Sequence, residues 1–534
     1  MNGMQLCSLK IFYPQRTLLN CKYALGSEVL KTVCRSTCTE VGSISSFGKS
    51  KKEEDIDFRN AKAFSEMPGP KGLPYIGTLL EYRLGRFKIE RYVDALLERH
   101  RMYGPIVKET LLGHTSVHLF HPELVKQYYR NEEKLPYVPP LVEATQLYRK
   151  KQKYSPGLGN MNGEEWYRLR SAVQQMMMRP KEVSAFFPHV ACVADDFIRR
   201  ISKIRDVKGE VPNTLNEFAK WSMESSGLVC FEKRFGCLDD EGNVEAQQAI
   251  DAVRTIFKVS SQLKFSLPLH EFVPTPKWKK LEAAEGFLYS YVLRNMEQTI
   301  SAIDDLQKKG QLAEDKYMFM SYLLSRKGLS YDDVTILTLS LFSDPQSTTS
   351  PMLLFNMYCL AKNPEVQDKL SREIEQTFPG DEPVTVEKLG KMPYLKACVK
   401  ETFRLFPTGP ETSRLAPRDM VIGGYQIPAG VRIDLHNFVM CMSAEYFADP
   451  EKYLPERWIK NDSAQNIHPF IMIPFGHGPR MCIGRRFAEQ ELYVMLTKLV
   501  RKFHIQWHNS DMVVKYELLL SPKKPANFTF VDRK

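Results

Sequence analysis

The residues whose types and spacing best suit chemistry lie near the C-terminus, in the decapeptide FGHGPRMCIG at 475–484. Its glycines and proline force a tight, irregular backbone around a single cysteine, Cys482, and an amphipathic helix is predicted over 484–500. A cysteine just before a helix N-terminus meets the positive end of the helix dipole and free N–H groups, which favour a thiolate. A rigid loop that presents one thiolate is what an axial ligand to haem iron requires, and Arg480 could bind a haem propionate with paired donors.

A second candidate region lies inside a long predicted helix that begins after Ser330, where Ser330 and Asp333 form a capping pattern. Apolar and hydroxyl-bearing residues continue to about residue 361, and Asn363-Pro364 ends the helix. About thirty helical residues span roughly 45 Å, and so little charge along them indicates that the helix passes through the protein interior.

These regions need a large framework to bring them together. Segments with 3.6-residue periodicity predict helices over 89–101, 164–178, 191–205, 246–262 and 279–306. Two β-like segments, 106–112 and 116–120, are joined by Gly113-His114-Thr115 and predict a hairpin, and 419–430 predicts another. No internal repeat or low-complexity linker follows residue 66. The sequence therefore predicts a single large domain, mainly α with a small β portion, over 66–534.

The first fifty residues differ from the rest in composition. They hold six Lys or Arg residues and only two acidic ones, and eleven of them are Ser or Thr. They lack the continuous apolar core of a secretory signal, and a basic, hydroxyl-rich, acid-poor leader resembles a mitochondrial transit peptide. We predict such a leader over 1–50, ending between residues 30 and 66; a tail without a targeting role is the alternative.

Composition narrows the class of function further. The 534 residues contain no run of 18 apolar residues, so no transmembrane helix is predicted. The formal net charge of +11 is modest for this length and no dense basic block is present, so we predict no nucleic-acid partner. An acidic protein or a membrane surface suits this charge at least as well. The eleven cysteines include no C-x-x-C pair, which favours a reducing compartment over a disulfide framework.

The decapeptide fits the pattern F-G-x-G-x-R-x-C-x-G and resembles the haem-binding loop of the cytochrome P450 monooxygenases. The resemblance implies the cytochrome P450 fold over 66–534, haem b as the cofactor, and Cys482 as the axial ligand of the haem iron. That thiolate donates electron density to the iron and so favours cleavage of dioxygen.

The resemblance also implies which residues contact the haem propionates. Trp166 and Arg170 match the W-x-x-x-R pattern of an early helix in the family, and Arg480 lies in the cysteine loop. Arg414 lies where the family often has a further propionate ligand. Paired guanidinium donors suit carboxylates well.

A structural network is implied as well. Glu401 and Arg404 match the family's E-x-x-R pair, and as i, i+3 neighbours they can pair on one helix face. Arg457, in the segment PERW at 455–458, is the third member that the family adds to this pair. Together the three residues are expected to hold the cysteine loop.

Several positions resemble the mitochondrial branch of the family. They are Arg485 and Arg486, directly after the cysteine loop, and Lys396 and Lys400, on the helix that carries Glu401. In that branch this face docks an acidic [2Fe–2S] ferredoxin, which is reduced by an NADPH-dependent ferredoxin reductase, and complementary charge would steer the encounter. A solvated basic edge without a partner is the alternative.

The chain departs from the family where dioxygen is activated. The family usually has [AG]-G-x-[DE]-T-[TS], whereas residues 343–349 read SDPQSTT. Aligned on the threonines, Ser347 replaces the acid and Thr348 is the alcohol, while Asp344 and Pro345 replace small residues. Asp344 and Thr348 are four residues apart and can share a helix face, so Asp344 is a candidate substitute for the missing acid.

The sequence therefore favours a mitochondrial haem-thiolate monooxygenase, on the matrix side and peripheral to the inner membrane. It would hydroxylate a small apolar substrate, a sterol or steroid first and a xenobiotic next, with dioxygen and electrons from a ferredoxin. Two alternatives stay open. One is electron-independent isomerase or peroxide chemistry, and the other is a haem- or lipid-binding protein in which residues 343–349, here called the oxygen groove, no longer activate dioxygen.

Overall fold

The computed structural model of the protein describes residues 58–313, 315–459 and 467–533. The predicted leader over 1–50 lies outside the described residues, and the described ones all belong to one unit, 55–534. Helices dominate this unit and strands form a small part of it, so the predicted fold class is confirmed.

Most of the unit is α-helical. In chain order the α-helices are α1 Leu79–Arg83, α2 Tyr92–Tyr103, α3 Pro122–Arg130, α4 Glu143–Gln152, α5 Gly163–Met178, α6 Pro180–Ala185, α7 Phe187–Ile204, α8 Thr214–Phe231, α9 Val244–Lys264, α10 Pro276–Lys308, α11 Met318–Leu324, α12 Tyr331–Lys362, α13 Pro364–Thr377, α14 Val386–Leu389, α15 Pro393–Leu405, α16 Asn437–Cys441 and α17 Arg485–Lys502. Short 3₁₀ turns cover Phe64–Glu66, Ile89–Arg91, Leu269–Glu271 and Pro455–Trp458.

Four of the predicted helical segments, 164–178, 191–205, 246–262 and 279–306, correspond to α5, α7, α9 and α10. The fifth, 89–101, is divided into a 3₁₀ turn followed by α2. The α9 and α10 helices begin earlier than predicted because their N-caps are polar, and such caps satisfy the free N–H groups of a first turn. The caps are Asn243 and Thr275, which accept the N–H groups of Ala246 and Trp278.

The strands form small sheets. They are β1 Ile106–Leu111, β2 His114–Leu119, β3 Glu210–Val211, β4 Thr412–Leu415, β5 Met420–Ile422, β6 Tyr425–Ile427, β7 Arg432–Leu435, β8 Phe503–Gln506, β9 Val514–Glu517, β10 Leu519–Pro522 and β11 Phe528–Asp532. The four-stranded sheet has the order β1-β2-β7-β4, in which only β2 and β7 are parallel. A three-stranded sheet has the order β3-β11-β8, and β5-β6 and β9-β10 are two-stranded.

Both predicted hairpins are present. In β1-β2 the turn is Leu112-Gly113 rather than the predicted three residues, because both residues have positive φ values, 51° and 81°, which suit a two-residue hairpin turn. His114 and Thr115 consequently belong to β2. The β5-β6 turn is Gly423-Gly424, with φ values of 59° and 80°.

The long helix α12 begins as predicted. Ser330 accepts the Asp333 N–H and the Asp333 carboxylate accepts the Ser330 N–H, each over 3.0 Å, which completes the capping box. The helix continues through Pro345 and Pro351, neither of which can donate a backbone hydrogen bond. It packs most extensively against α8.

The α12 helix joins two apolar cores. Its residues 334–342 pack in one core with α9 and α10, and residues 352–361 pack in another with α7, α13, α15 and α17. The departure from the family at 343–349 lies between these two stretches. The atypical residues therefore sit near the middle of the fold, where a polar side chain needs a partner or a function.

A buried carboxylate anchors α15. The Glu401 and Arg404 side chains are each 0% exposed and pair through two hydrogen bonds of 2.8 and 3.0 Å. Arg457 donates to Glu401 over 3.3 Å, and the Trp458 indole N–H donates over 2.8 Å. The predicted network of Glu401, Arg404 and Arg457 is present, and Trp458 is a member that the sequence did not indicate.

The remaining donors of Arg404 are also satisfied. They reach the backbone carbonyls of Cys441, Pro450 and Lys452 over 3.0, 2.6 and 2.8 Å. A buried ion pair is tolerated when its other hydrogen-bonding positions are filled in this way. The pair thus ties α15 to the segment that precedes the cysteine loop.

We predict that Glu401→Gln destabilises the protein by about 3–5 kcal/mol, because Arg404 would keep its charge in the interior without a counter-ion. The matched control is Glu387→Gln, which removes the same charge from an exposed pair with Lys391 and should change stability little. Urea-induced unfolding followed by far-ultraviolet circular dichroism measures both. Equal losses in the two variants would contradict the structural role of Glu401.

Candidate functional site

The loop at 475–484 is held in shape by its own backbone. Gly476 and Gly478 have φ values of 72° and 73°, in the left-handed region that glycine adopts without strain. The Cys482 N–H donates to the Phe475 carbonyl over 2.8 Å. The loop therefore presents the Cys482 side chain at a fixed place directly before α17.

The loop is also fixed from outside. The Phe475 ring packs edge-on against Phe403 of α15, with 5.1 Å between ring centroids. Phe403 lies between Glu401 and Arg404 in sequence. The buried ion pair and the cysteine loop are therefore connected through one aromatic contact.

The Cys482 thiol shows two opposing influences. Burial raises its pKa above the ordinary value, whereas the backbone N–H groups of Gly484 and Arg485 lower it. Burial is the stronger influence in the polypeptide without its cofactor, because desolvation disfavours the charged form of the thiol. The two N–H groups nevertheless point at the sulfur, and a bound metal cation deprotonates a coordinating thiol.

Arg480 lies over the Trp166 ring, with its guanidinium carbon 3.9 Å from the ring centroid. It donates to the carbonyls of Pro136 and Met161 over 2.9 and 2.7 Å and to the Asn162 side chain over 2.6 Å. All of these acceptors are neutral. The guanidinium is therefore held in position without a compensating charge in direct contact.

Arg170 also lacks an anionic partner among the described residues. Its side chain is buried, and its Nε–H has no hydrogen-bond acceptor among the described residues. The one polar contact is from Nη2 to the Met178 sulfur, at 3.1 Å. Burial lowers the pKa of Arg170, and the nearby Cys482 raises it. A buried unpaired donor of this kind indicates a ligand.

Arg414 differs, because it already has a carboxylate. It donates to Glu132 over 2.7 Å and to the His477 carbonyl of the cysteine loop over 3.2 Å. Burial raises the pKa of the Glu132 carboxyl, whereas the charge of Arg414 lowers it. Burial is the stronger influence, so the pKa of Glu132 lies above its ordinary value. Arg414 is thus adjacent to the predicted site but paired within the protein.

Together these side chains leave an excess of buried positive charge. The pKa of Arg480 falls to about 9, first because of burial and then because of Arg414 and Arg170, with Glu132 opposing. A partly buried guanidinium that contacts only neutral acceptors among the described residues is suited to an anionic ligand. Haem carries two propionate carboxylates and an iron that accepts a thiolate, so the donor set of Cys482, Arg480 and Arg170 fits this cofactor.

The oxygen-groove residues lie along one stretch of α12. The Thr348 hydroxyl donates to the backbone carbonyl of Asp344 over 2.9 Å, so the two residues share a face as predicted. The hydroxyl does not contact the Asp344 carboxylate. No hydrogen bond from a described residue reaches that carboxylate, and Ser347 is half-buried.

The Asp344 carboxyl has an unusual environment. Its side chain is accessible, yet the surrounding protein raises its pKa to about 7 by burial, opposed by the charge of Arg149. Asp344 in turn acts to raise the pKa of the Cys482 thiol, so the two groups are near each other. A carboxyl with a pKa near neutrality can both hold and release a proton.

The two predicted docking lysines lie on the outer side of α15. Lys400 is exposed, with its ammonium 4.1 Å over the Trp458 ring, and Lys396 is half-buried and donates to the Gly390 carbonyl. Neither lysine lies within 4.0 Å of a described carboxylate. The predicted division of α15 into an inner Glu401 side and an outer lysine side is present.

Arg485 and Arg486 are partly exposed at the start of α17. Both pair with Glu489, at 2.9 and 3.5 Å. They are therefore less available to a partner than the two lysines of α15.

Sequence reasoning missed three polar residues of this region. They are Glu132, Asn162 and Arg149, which contact Arg414, Arg480 and the Pro156 carbonyl respectively. Each lies on a loop or helix end outside the motifs, and no local pattern distinguishes them. Only the fold brings them to the interior.

Comparison with known proteins identifies the family. A family model described as Cytochrome P450 matches residues 67–530. The chain is 38% identical over 481 residues to probable cytochrome P450 CYP44 of Caenorhabditis elegans, covering 88% of this chain and 94% of that protein.

Two further relatives are named as mitochondrial. The chain is 33% identical over 471 residues to the mitochondrial 1,25-dihydroxyvitamin D(3) 24-hydroxylase of Mus musculus, covering 88% of this chain and 89% of that protein. It is 30% identical over 504 residues to probable cytochrome P450 12a5, mitochondrial, of Drosophila melanogaster, covering 90% and 92%.

The matched region contains the cysteine loop, the buried Glu401 network and the unpaired arginines, and the similarity extends over most of each relative. The chain therefore belongs to the cytochrome P450 family of haem-thiolate enzymes.

Proposed function

We propose that the protein is a mitochondrial monooxygenase that hydroxylates a small apolar substrate with electrons from a [2Fe–2S] ferredoxin. The observation that carries the proposal is the pairing of a loop-held Cys482 thiol with buried arginines that lack a compensating anion. When bound, haem supplies the one-electron and dioxygen chemistry that side chains cannot perform.

The residues of this chain position and balance that cofactor. Cys482 ligates the iron, and its two backbone N–H donors stabilise the thiolate once metal charge offsets burial. Arg480, Arg170 and Trp166 hold the propionates, and Arg414 supports them from its place beside the loop. Their positive charge is then compensated by the propionate carboxylates.

Proton delivery is assigned to the groove. Thr348 orders the path with a hydroxyl fixed to the Asp344 carbonyl, and Asp344 supplies the proton from its carboxyl oxygen. Ser347 assists by hydrogen bonding, since a hydroxyl cannot act as an acid near neutral pH as a carboxyl does. Asp344 is suited to this role because burial brings its pKa to about 7.

Electron supply is assigned to the outer face of α15. Lys396 and Lys400 are free of described carboxylates within 4.0 Å, so an acidic ferredoxin, itself reduced by an NADPH-dependent reductase, can pair with them. Arg485 and Arg486 extend this basic face, although Glu489 offsets part of their charge.

Mitochondrial location is supported by the basic, acid-poor composition of 1–50 and by relatives that are named as mitochondrial. We place the protein on the matrix side of the inner membrane, with a leader that ends between residues 30 and 66. Import of a reporter fused to residues 1–66 tests this, and a cytosolic reporter would contradict it.

Peripheral contact with the inner membrane has support in an exposed apolar region. Leu267, Leu269, Phe272 and Val273 are 50–81% exposed. They lie next to α1, because Arg83 donates to the Phe265 carbonyl over 2.6 Å, and Leu84 beyond it is 83% exposed. No helix among the described residues has the length and apolarity to cross a bilayer. A cluster of large exposed apolar side chains suits a membrane surface.

A sterol or steroid is the proposed substrate class and a xenobiotic the next, since one relative is named as a vitamin D hydroxylase. The rival functions differ in their need for electrons. Isomerase or peroxide chemistry would proceed without ferredoxin, and a degenerate haem- or lipid-binding protein would bind ligand without any product.

The test of the function is turnover with NADPH, ferredoxin reductase and ferredoxin on a sterol and xenobiotic panel. Lys396→Glu combined with Lys400→Glu should raise the Kd for ferredoxin at least tenfold at low salt, because close charge pairs couple by about 1.5–7 kcal/mol. Haem content should stay unchanged. Product formation without ferredoxin would contradict the proposed electron supply.

The matched control for the double variant is Lys308→Glu with Lys309→Glu, an equal charge reversal at the exposed end of α10. It should leave the ferredoxin Kd unchanged. Equal affinity of the wild type and the α15 variant would reject the docking face.

For the groove, we predict that Asp344→Ala lowers product formation by about 10²–10⁴-fold, the usual contribution of a general acid. Ser347→Ala, a neighbouring change that removes no carboxyl, should have little effect. The measurement is product and NADPH in the same reaction. A well-coupled Asp344→Ala enzyme would refute the substitute acid.

If wild type itself leaks peroxide and makes little product, the relay is broken rather than replaced. In that event Ser347→Asp with Pro345→Gly should raise the ratio of product to NADPH, because it restores the acid and the small residue of the family pattern.

A further inference from the structure

Arg149, on the last turn of α4, is a buried cation that the propionate site does not use. Its side chain is 9% exposed, and its one hydrogen bond runs from Nη1 to the Pro156 carbonyl over 2.9 Å. Its Nε–H is buried without an acceptor, and Nη2 has none among the described residues. One edge of the guanidinium is therefore unpaired.

Two carboxyls are near Arg149 but neither contacts it. The charge of Arg149 lowers the pKa of Glu285 of α10 and of Asp344 of α12. No described carboxylate oxygen nevertheless lies within 4.0 Å of Arg149. Glu285 accepts the Thr145 hydroxyl instead. Burial raises the pKa of Glu285 and of Asp344, which weakens both as counter-ions. The charge of Arg149 is thus poorly compensated.

Arg149 lies apart from Arg480 and Arg170, the arginines that we propose to bind the haem propionates. The charges that act on Arg480 are those of Arg414, Arg170 and Glu132, and Arg149 is not among them. Arg149 instead shares the interior with Asp344, on the α12 side that carries the oxygen groove.

The Arg149 guanidinium is closely packed on one side. A Cβ added at Gly157 would lie 2.8 Å from the Arg149 Nη1 and 2.7 Å from Ile336 of α12, so the loop after α4 packs closely on both. Ile336 belongs to the apolar core that also contains Tyr148, Leu339 and Phe342. A guanidinium fixed in an apolar wall gives a ligand both a charged contact and a hydrophobic surface.

We propose that Arg149 binds a carboxylate of the substrate, so that the substrate is an apolar acid with either a long-chain or a polycyclic skeleton. The inference rests on the proposed function, because it places the substrate beside the groove of α12. A carboxylate matches the planar fork of guanidinium with two hydrogen bonds. A neutral hydroxyl would satisfy one donor and leave the charge uncompensated.

The test compares acids with their methyl esters on the purified holoprotein. Palmitic acid and 5β-cholanoic acid represent the two skeletons, and binding is measured by equilibrium dialysis of radiolabelled ligand, with the haem spin shift as a parallel signal. At least one acid should bind about 10- to 100-fold more tightly than its ester, the range for hydrogen bonds to a charged group. The acid that shows this preference identifies the skeleton of the substrate as long-chain or polycyclic.

Arg149→Gln should reduce this preference to about twofold or less, because it removes the charge and keeps most of the side-chain length. Lys150→Gln, the same loss of charge on the exposed neighbour, should keep the preference. Haem content is measured for each variant.

Three outcomes would overturn the proposal: equal binding of acid and ester by wild type, absence of binding by both acids, or a preference that survives in Arg149→Gln. Loss of haem in Arg149→Gln would also overturn it, since Arg149 would then serve the cofactor. The wild-type comparison needs no variant and so decides even if Arg149→Gln fails to fold. Ferredoxin-dependent turnover of a neutral substrate would leave the proposed function intact in each case.

Discussion

The buried Glu401 carboxylate is the constraint on which the rest of the site depends. It is inaccessible to solvent and accepts hydrogen bonds from Arg404, Arg457 and Trp458, so it fixes α15 against the segment before the cysteine loop. Phe403, between the paired residues, then contacts Phe475, whose carbonyl accepts the Cys482 N–H. The position of one sulfur atom is thus set by an ion pair on another element. A buried pair is poor evidence of stability alone, but it specifies geometry when all its donors are used.

The interior of the protein holds charged and polar side chains that have no partner of opposite charge in contact among the described residues. Arg480 and Arg170 have no carboxylate in contact, and Asp344 has no hydrogen-bond donor among the described residues. An apolar interior does not tolerate such groups without a ligand or a function. The two haem propionates would balance the charge of the arginines, and proton transfer is the function that we propose for Asp344. The SDPQSTT stretch of α12 therefore differs from the family pattern, whereas the fold around it is that of the family.

Much of this could be predicted from the sequence, because local patterns encode it. The capping box at Ser330 and the glycine turns depend on residue types at fixed spacing, whereas the network of Glu401, Arg404 and Arg457 was expected from the resemblance to the family. The net pKa of Cys482 could not be predicted, since burial depends on distant chain segments. Glu132 and Arg149 were missed for the same reason. Their neighbours, Arg414 and the Pro156 carbonyl, are found only through the tertiary fold.

The central claim is that Cys482 is the thiolate ligand of a haem iron, and the absorption spectrum of the reduced carbon monoxide complex tests it most directly. Wild type and Cys192→Ala, which removes an exposed cysteine outside the loop, should both show the red-shifted Soret band of thiolate ligation. Cys482→Ala should lose that band. A red-shifted Soret band that persists in Cys482→Ala would contradict the account.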